Sequence, residues 1–173
     1  MVLEYQCSVA PMYGNAEMET FARNAIIQRR KRELPNYDKL EKEGNLYFGS
    51  DRIYIVDLNK DNSPEYIVPF ICGGTGNCNF IVFADHPPRI LGEIGAEYII
   101  FTPATDKWPD IMIYGHMTAG EGVIYGYTFK DGRYQEDPKV HYEVSDSYDG
   151  KIHTKTDFFK KIGPVKCECE KGK

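Results

Sequence analysis

Oxygen-bearing side chains stand at alternate places in one nine-residue stretch: Asp57, Asn59, Asp61, Ser63 and Glu65. An apolar run over 53–56 leads in and another over 66–70 leads out. That spacing suits a short loop wrapped around a hard cation, since calcium takes about six to eight oxygens at roughly 2.3–2.6 Å. Three carboxylates so close together repel one another unless a cation or Lys60 offsets them. The same residue types also build an Asx-rich turn, in which side chains bond the backbone and no metal is needed. The loop is not an EF-hand: its twelfth position is Val68, where a bidentate Glu belongs, and its sixth is Asn62 instead of Gly.

A second group with chemical capacity is His116, with Asp110 upstream and Glu121 downstream. A histidine beside a carboxylate can move protons, so a hydrolase using His116 with Asp110 or Glu121 is one reading. The other is a structural histidine at a strand end. Neither a G-x-S-x-G nor an H-E-x-x-H motif is present.

Two glycine-rich segments follow apolar runs, 73–77 and 117–122. The first lacks the Lys and Ser/Thr of a phosphate-binding loop. It is bracketed by Cys72 and Cys78, close enough in sequence for a disulfide. Gly74, Thr75, Gly76 and Asn77 from one loop, with His116, Thr118 and Glu121 from the other, form a candidate partner-binding surface. Cys7 can pair with Cys167 or with Cys169, and an odd count of five leaves one thiol over. This usage points to an oxidising compartment.

The elements that must position these residues begin with a helix from Asn15 to about Arg32. Its apolar stripe is Met18, Phe21, Ala22, Ala25 and Ile26. A short helical turn follows at 37–42. Strands are expected at 46–48, 52–56, 65–71, 79–84, 97–101, 110–114, 123–129 and 133–135. Asp131-Gly132 reads as a hairpin turn, and 85–89, with Pro87 and Pro88, as a loop. The segment 64–68 matches 109–113, an offset of 45 residues, and the loop over 73–77 falls on 118–122. In that alignment Asp110 stands where Glu65 does, while Thr102 and Ala104 replace Asp57 and Asn59. The expected fold class is α+β, mostly β: a twisted antiparallel sheet from two blade-like repeats, with the N-terminal helix packed on it. It forms a single domain over 1–173, made of a helical segment 1–44, a repeated meander 45–136 and a C-terminal segment 137–173. Phe158, Phe159 and Ile162 suggest a last element that docks.

The pattern Asp57-x-Asn59-x-Asp61-x-x-x-Glu65 resembles the calcium loops of FG-GAP and VCBS repeats. The resemblance implies that Asp57, Asn59, Asp61 and Glu65 are side-chain ligands and that Ser63 contributes its carbonyl. The wider run, from Asp57 through Cys72–Cys78 to His116 and Gly122, is similar to a set of bacterial secreted or periplasmic proteins. That similarity implies an extracytoplasmic location and no particular activity.

A net charge of −5 argues against nucleic acid as a partner. The basic run Arg29-Arg30-Lys31-Arg32 falls at the expected helix end, where cations complement the helix dipole. No apolar run is long enough to span a membrane, and 1–4 lack the pattern of a signal peptide. The leading expectation is therefore a non-enzymatic extracytoplasmic binding module. Its partner is a protein, for example a secreted enzyme that it inhibits or confers immunity against, or a glycan or cell-wall polymer in a structural envelope role.

Overall fold

In the computed structural model, residues 6–8, 16–43, 53–73, 77–96, 98–101, 107–118, 121–146 and 152–153 are described. Their elements are β1 (Gln6–Ser8), α1 (Ala16–Glu33), α2 (Tyr37–Lys42), β2 (Ile53–Val56), β3 (Glu65–Cys72), β4 (Cys78–Ala84) and β5 (Arg89–Ala96). The chain continues with β6 (Tyr98–Phe101), β7 (Ile111–Thr118), β8 (Glu121–Lys130), β9 (Arg133–Asp146) and β10 (Ile152–His153). The fold is α+β and mostly β, as the patterning predicts. Each repeat builds a sheet of its own. One is a five-stranded antiparallel meander, β1-β2-β3-β4-β5, and the other runs β10-β9-β8-β7-β6.

The 45-residue offset carries β2 onto β6 residue for residue. It then slips. The connection over 57–64 has an extra residue in its second copy, 102–110. Val56 pairs with Glu65, but Phe101 pairs with Ile111. Ile111, fully buried, therefore occupies the place of Glu65, and Asp110 falls just outside the strand. This corrects the alignment of Asp110 with Glu65. A one-residue insertion in a loop changes which residue enters the next strand without changing the strand itself.

Alternation along β3 explains the layering. Ile67 faces the second sheet, in a core with Val56, Leu58, Val82, Leu91, Ile94, Ile111, Ile113 and Tyr134. Tyr66, Val68 and Phe70 face the other way and meet Met18 and Ala22 of α1. With both faces covered, β3 is buried from Glu65 to Phe70. The helix stripe is the predicted one: Met18 and Ala22 are buried, and Phe21, Ala25 and Ile26 pack beside them. The Phe21 ring meets Phe83 edge-on, with centroids 6.1 Å apart.

β1, β5 and β10 lie beyond the sequence expectations, and β9 outruns its expected bounds. β5 hides its period behind Gly92, Gly95 and the charges at Arg89 and Glu93. Gly92 has a packing reason, since a Cβ there would come within 2.9 Å of the Tyr134 Cβ where the two sheets meet. β9 is much longer than 133–135 because Pro138 sits in a bulge: the register jumps between Tyr125↔His141 and Gly126↔Asp137. β1 is three residues in a segment with no apolar period. The expected strand 46–48 and the expected C-terminal element at 158–162 lie outside the described residues. Asp131 and Gly132 both have positive φ, 53° and 80°, as the predicted hairpin turn requires.

Candidate functional site

The loop between β2 and β3 is folded by its own acidic side chains. Both Asp57 oxygens accept backbone N–H groups, Oδ1 from Asp61 at 3.1 Å and Oδ2 from Asn62 at 3.0 Å. Asn59 Oδ1 also accepts the Asp61 N–H at 2.9 Å, and Asp61 Oδ1 accepts that of Ser63 at 2.8 Å. Asn59 Nδ2 donates to Asp61 Oδ2 at 2.8 Å. Lys60 and Asn62 take positive φ, 60° and 69°, which lets the chain wind this tightly. The Ser63 N–H and the Asn59 amide hold the Asp61 carboxyl below the usual range.

Glu65 differs in kind. It is only 2 % exposed, and its Oε2 accepts the Leu58 N–H at 2.7 Å. Burial pushes its carboxyl up to about 7; the charges of Asp61 and Asp57 add to the rise, while Leu58 N–H and Arg89 oppose it. Burial and the two neighbouring carboxylates outweigh Arg89, so this position favours further positive charge. The residues thus match a hard cation in donor chemistry, all oxygen, and in the electrostatic need that Glu65 creates. They are not drawn into a cage: among the described residues no three His, Cys, Asp or Glu side chains converge tightly enough to hold a metal. The carboxylates point at backbone N–H groups, the arrangement of an Asx-rich turn.

The second cluster lies around the β3–β4 turn. The Cys72–Cys78 disulfide forms as expected, with S–S 2.01 Å, between residues directly opposite each other. Above it the Gly73 N–H donates to the Asn77 carbonyl at 2.8 Å. Asn77 then reaches the other sheet. Its Oδ1 accepts the His116 N–H at 2.9 Å, and its Nδ2 donates to the His116 carbonyl. One side-chain amide thereby copies the two-bond exchange of an antiparallel pair. The β3–β4 turn and the end of β7 are thus joined through Asn77 and His116. Asn77, however, is used up in joining the sheets and does not face outward. Gly74, Thr75 and Gly76 lie outside the described residues.

His116 does not meet the expected carboxylates. Asp110 precedes β7 and His116 lies near its far end; six extended residues separate them by about 20 Å. Glu121 pairs with Thr118, and Gly122 pairs with His116, so alternation sends Glu121 and His116 to opposite faces. The Glu121 carboxylate accepts the Thr118 hydroxyl at 3.1 Å. Met117, at the bulge between them, is 64 % exposed, while Tyr114 is buried. Tyr114 therefore serves the core.

The basic run of α1 is committed internally. Arg29 and Arg32 hold Glu93 at 2.7 and 3.1 Å. Arg30 Nε donates to the Phe70 carbonyl at 2.8 Å, and Lys31 pairs with Asp38 at 2.8 Å. Burial raises the Glu93 carboxyl, but the two guanidiniums outweigh it and hold it below the ordinary range. The three arginines clasp α1 to β3 and β5 and Lys31 ties it to α2, a role that needed tertiary structure to see.

Cys7 lies in β1 opposite Tyr54, and its pairing with Cys167 or Cys169 falls outside the described residues. No helix among the described residues is long and apolar enough to cross a membrane. No family model, curated protein or solved structure matches this chain.

Proposed function

We propose that this chain is an extracytoplasmic, non-enzymatic binding module that presents the rim formed by the β3–β4 turn and the β7–β8 hairpin to a protein partner. An inhibitor or immunity-type role against a secreted enzyme fits such a rim. The observation that carries the reading is the joining of Asn77 to His116 directly above the Cys72–Cys78 disulfide. A rim tied both covalently and across two sheets loses little entropy on binding, and preorganisation of that kind favours affinity. Met117 stands on it as an exposed apolar side chain, flanked by Thr118 and Glu121. The disulfide supports an oxidising location.

In this reading the 57–65 loop is a structural corner at the other end of β3. Asp57, Asn59, Asp61 and Glu65 would hold a calcium ion there, with Ser63 adding its carbonyl. The ion would supply the further positive charge that Glu65 favours, and no chemistry on a substrate.

The test is site-specific photo-crosslinking. The crosslinker is placed at Met117, Thr118 or Glu121, with Lys130 and Asp131 at the opposite end of β8 as controls. A secreted or envelope fraction supplies the partner, and Met117→Asp is then assayed against the purified capture. Preferential capture at the rim, abolished by Met117→Asp, supports the proposal. Equal labelling at both ends overturns it. Retention on cell-wall glycan without protein capture favours the glycan reading. Hydrolytic turnover lost in His116→Ala establishes the enzyme reading instead.

A further inference from the structure

We infer that the Cys72–Cys78 disulfide is a redox-sensitive latch on the contact between the two sheets, released by a dithiol reductant. Such a latch operates whatever the rim binds.

The chain changes sheets between β5 and β6. The last pair of β5 is Ala96 with Cys78, in the first sheet. The first pair of β6, two residues on, is Tyr98 with Tyr114, in the second. Continuing that register along β7 would bring residue 96 opposite His116, but residue 96 is already committed to Cys78. Asn77, next to Cys78 in sequence, takes the vacated place: its amide bonds the His116 N–H and carbonyl as a strand residue would. Among the described residues, the junction between the sheets at this end is therefore completed by the side chain of a turn residue.

A turn residue can do this only if the turn holds it still. Among the described residues, the turn between β3 and β4 is closed by the Gly73 N–H to Asn77 carbonyl bond and the disulfide beneath it. Glycine-rich loops carry high conformational entropy, which a covalent closure removes from the open ensemble. Without the disulfide no covalent bond closes the turn, and Asn77 is held by the Gly73 hydrogen bond and by the pairing of its neighbour Cys78 with Cys72 and Ala96. Opening then becomes local, since β3 and β4 remain paired from Glu65 to Pro69 and buried on both faces.

The chemical step is ordinary exchange. A thiolate of the dithiol attacks one sulfur of the pair and the S–S bond breaks. The second thiol of the reagent then displaces the mixed disulfide. Cys72 and Cys78 end as two thiols, having received two electrons and two protons, and the reagent ends as a cyclic disulfide.

Hydrogen exchange at the His116 amide, followed by NMR, reads the latch. In the oxidised protein this amide should exchange slowly. After treatment with dithiothreitol it should exchange at least about tenfold faster, the protection expected of a local hydrogen bond. The amides of Ile67 and Val82, inside the first sheet, should hold their rates. Cys72→Ser/Cys78→Ser should match the reduced protein without reductant, which separates this disulfide from any other. Asn77→Ala should exchange fast in both redox states. Unchanged protection at His116 on reduction overturns the inference. So does a common acceleration of His116, Ile67 and Val82, which would make the disulfide a support of the whole fold. Slow exchange in Asn77→Ala overturns it as well.

Discussion

The ring of Tyr114 occupies the space that a side chain at Gly122 would fill: a Cβ built on Gly122 overlaps the Tyr114 ring carbons and hydroxyl. Tyr114 is on β7, two residues before His116, which pairs with Gly122, and is 2 % exposed. The glycine that marks the second loop in the sequence is thus a packing glycine within a strand.

Gly122→Ala should lower stability by roughly 1–3 kcal/mol, because a buried aromatic ring must move. In a Tyr114→Ala background the same change should cost little, since the obstructing ring is gone. Urea unfolding of the four proteins in a double-mutant cycle measures the coupling. Additive costs would mean that the two positions are independent.

Met18 anchors α1, with no exposed surface. Met18→Ala should destabilise by about 2–5 kcal/mol through the lost burial and the cavity left against the first sheet. Thr20→Ala, exposed on the same helix, should stay within about 0.5 kcal/mol. Equal effects in denaturant titrations would show that α1 does not dock through this stripe.

Glu65 makes stability depend on pH in a direction opposite to most carboxylates. Its pKa rises from 4.5 to about 7 on folding. The folded protein therefore holds more protons than the unfolded chain between these values, and stability falls as pH rises through that window. The full difference is on the order of 3 kcal/mol, present below about pH 4.5 and gone above pH 7. Glu65→Gln should remove this slope in chelator-treated protein and raise stability at pH 8. A slope unchanged by the substitution would place the titrating group elsewhere.

Calcium bound as proposed would act on the same group with the reverse sign. A bound cation favours the ionised carboxylate, so calcium should stabilise the native state most above pH 7. Millimolar calcium should raise Tm by several degrees over chelated protein, given that about 1 kcal/mol moves a domain of this size by roughly 2–4 °C. Asp61→Ala should abolish the difference. Superimposable melting curves with and without calcium would leave the loop as an Asx-rich turn.

Asn77 offers a test of the clamp that leaves the disulfide alone. Asn77→Asp keeps the acceptor for the His116 N–H but sets a carboxylate against the His116 carbonyl. It should cost more than the loss of a single neutral hydrogen bond, about 1–3 kcal/mol, and should be partly relieved at acid pH when the carboxyl protonates. Equal thermal stability of Asn77→Asp and wild type at pH 7 would mean that the Nδ2 bond carries no weight.

Local signals in the sequence are enough to place several elements around both candidate sites. The stripe from Met18 to Ile26 marks the helix, because apolar residues three and four apart share one helical face and would scatter over both faces of a strand. Asp131-Gly132 marks its turn, because positive φ is rare outside Gly, Asn and Asp. Cys72 and Cys78 mark their bond, because five intervening residues bring a hairpin's ends together. The strands that escape are those whose side chains answer to distant neighbours. β5 carries two glycines, one of them packed against Tyr134, and β9 carries a proline in a bulge.

The amino-acid sequence alone therefore determined the helix, the hairpin turn at Asp131-Gly132 and the Cys72–Cys78 bond, since each is a matter of spacing along the chain. Tertiary structure alone decided what those residues face. It turned Glu65 inward and gave its counterpart's place to Ile111 through one inserted loop residue. It set His116 about 20 Å from Asp110 at the far end of a strand. It also aimed Asn77 at His116 in the other sheet. Contacts of that kind depend on register and on the crossing of two sheets, and neither is written in any short stretch of sequence.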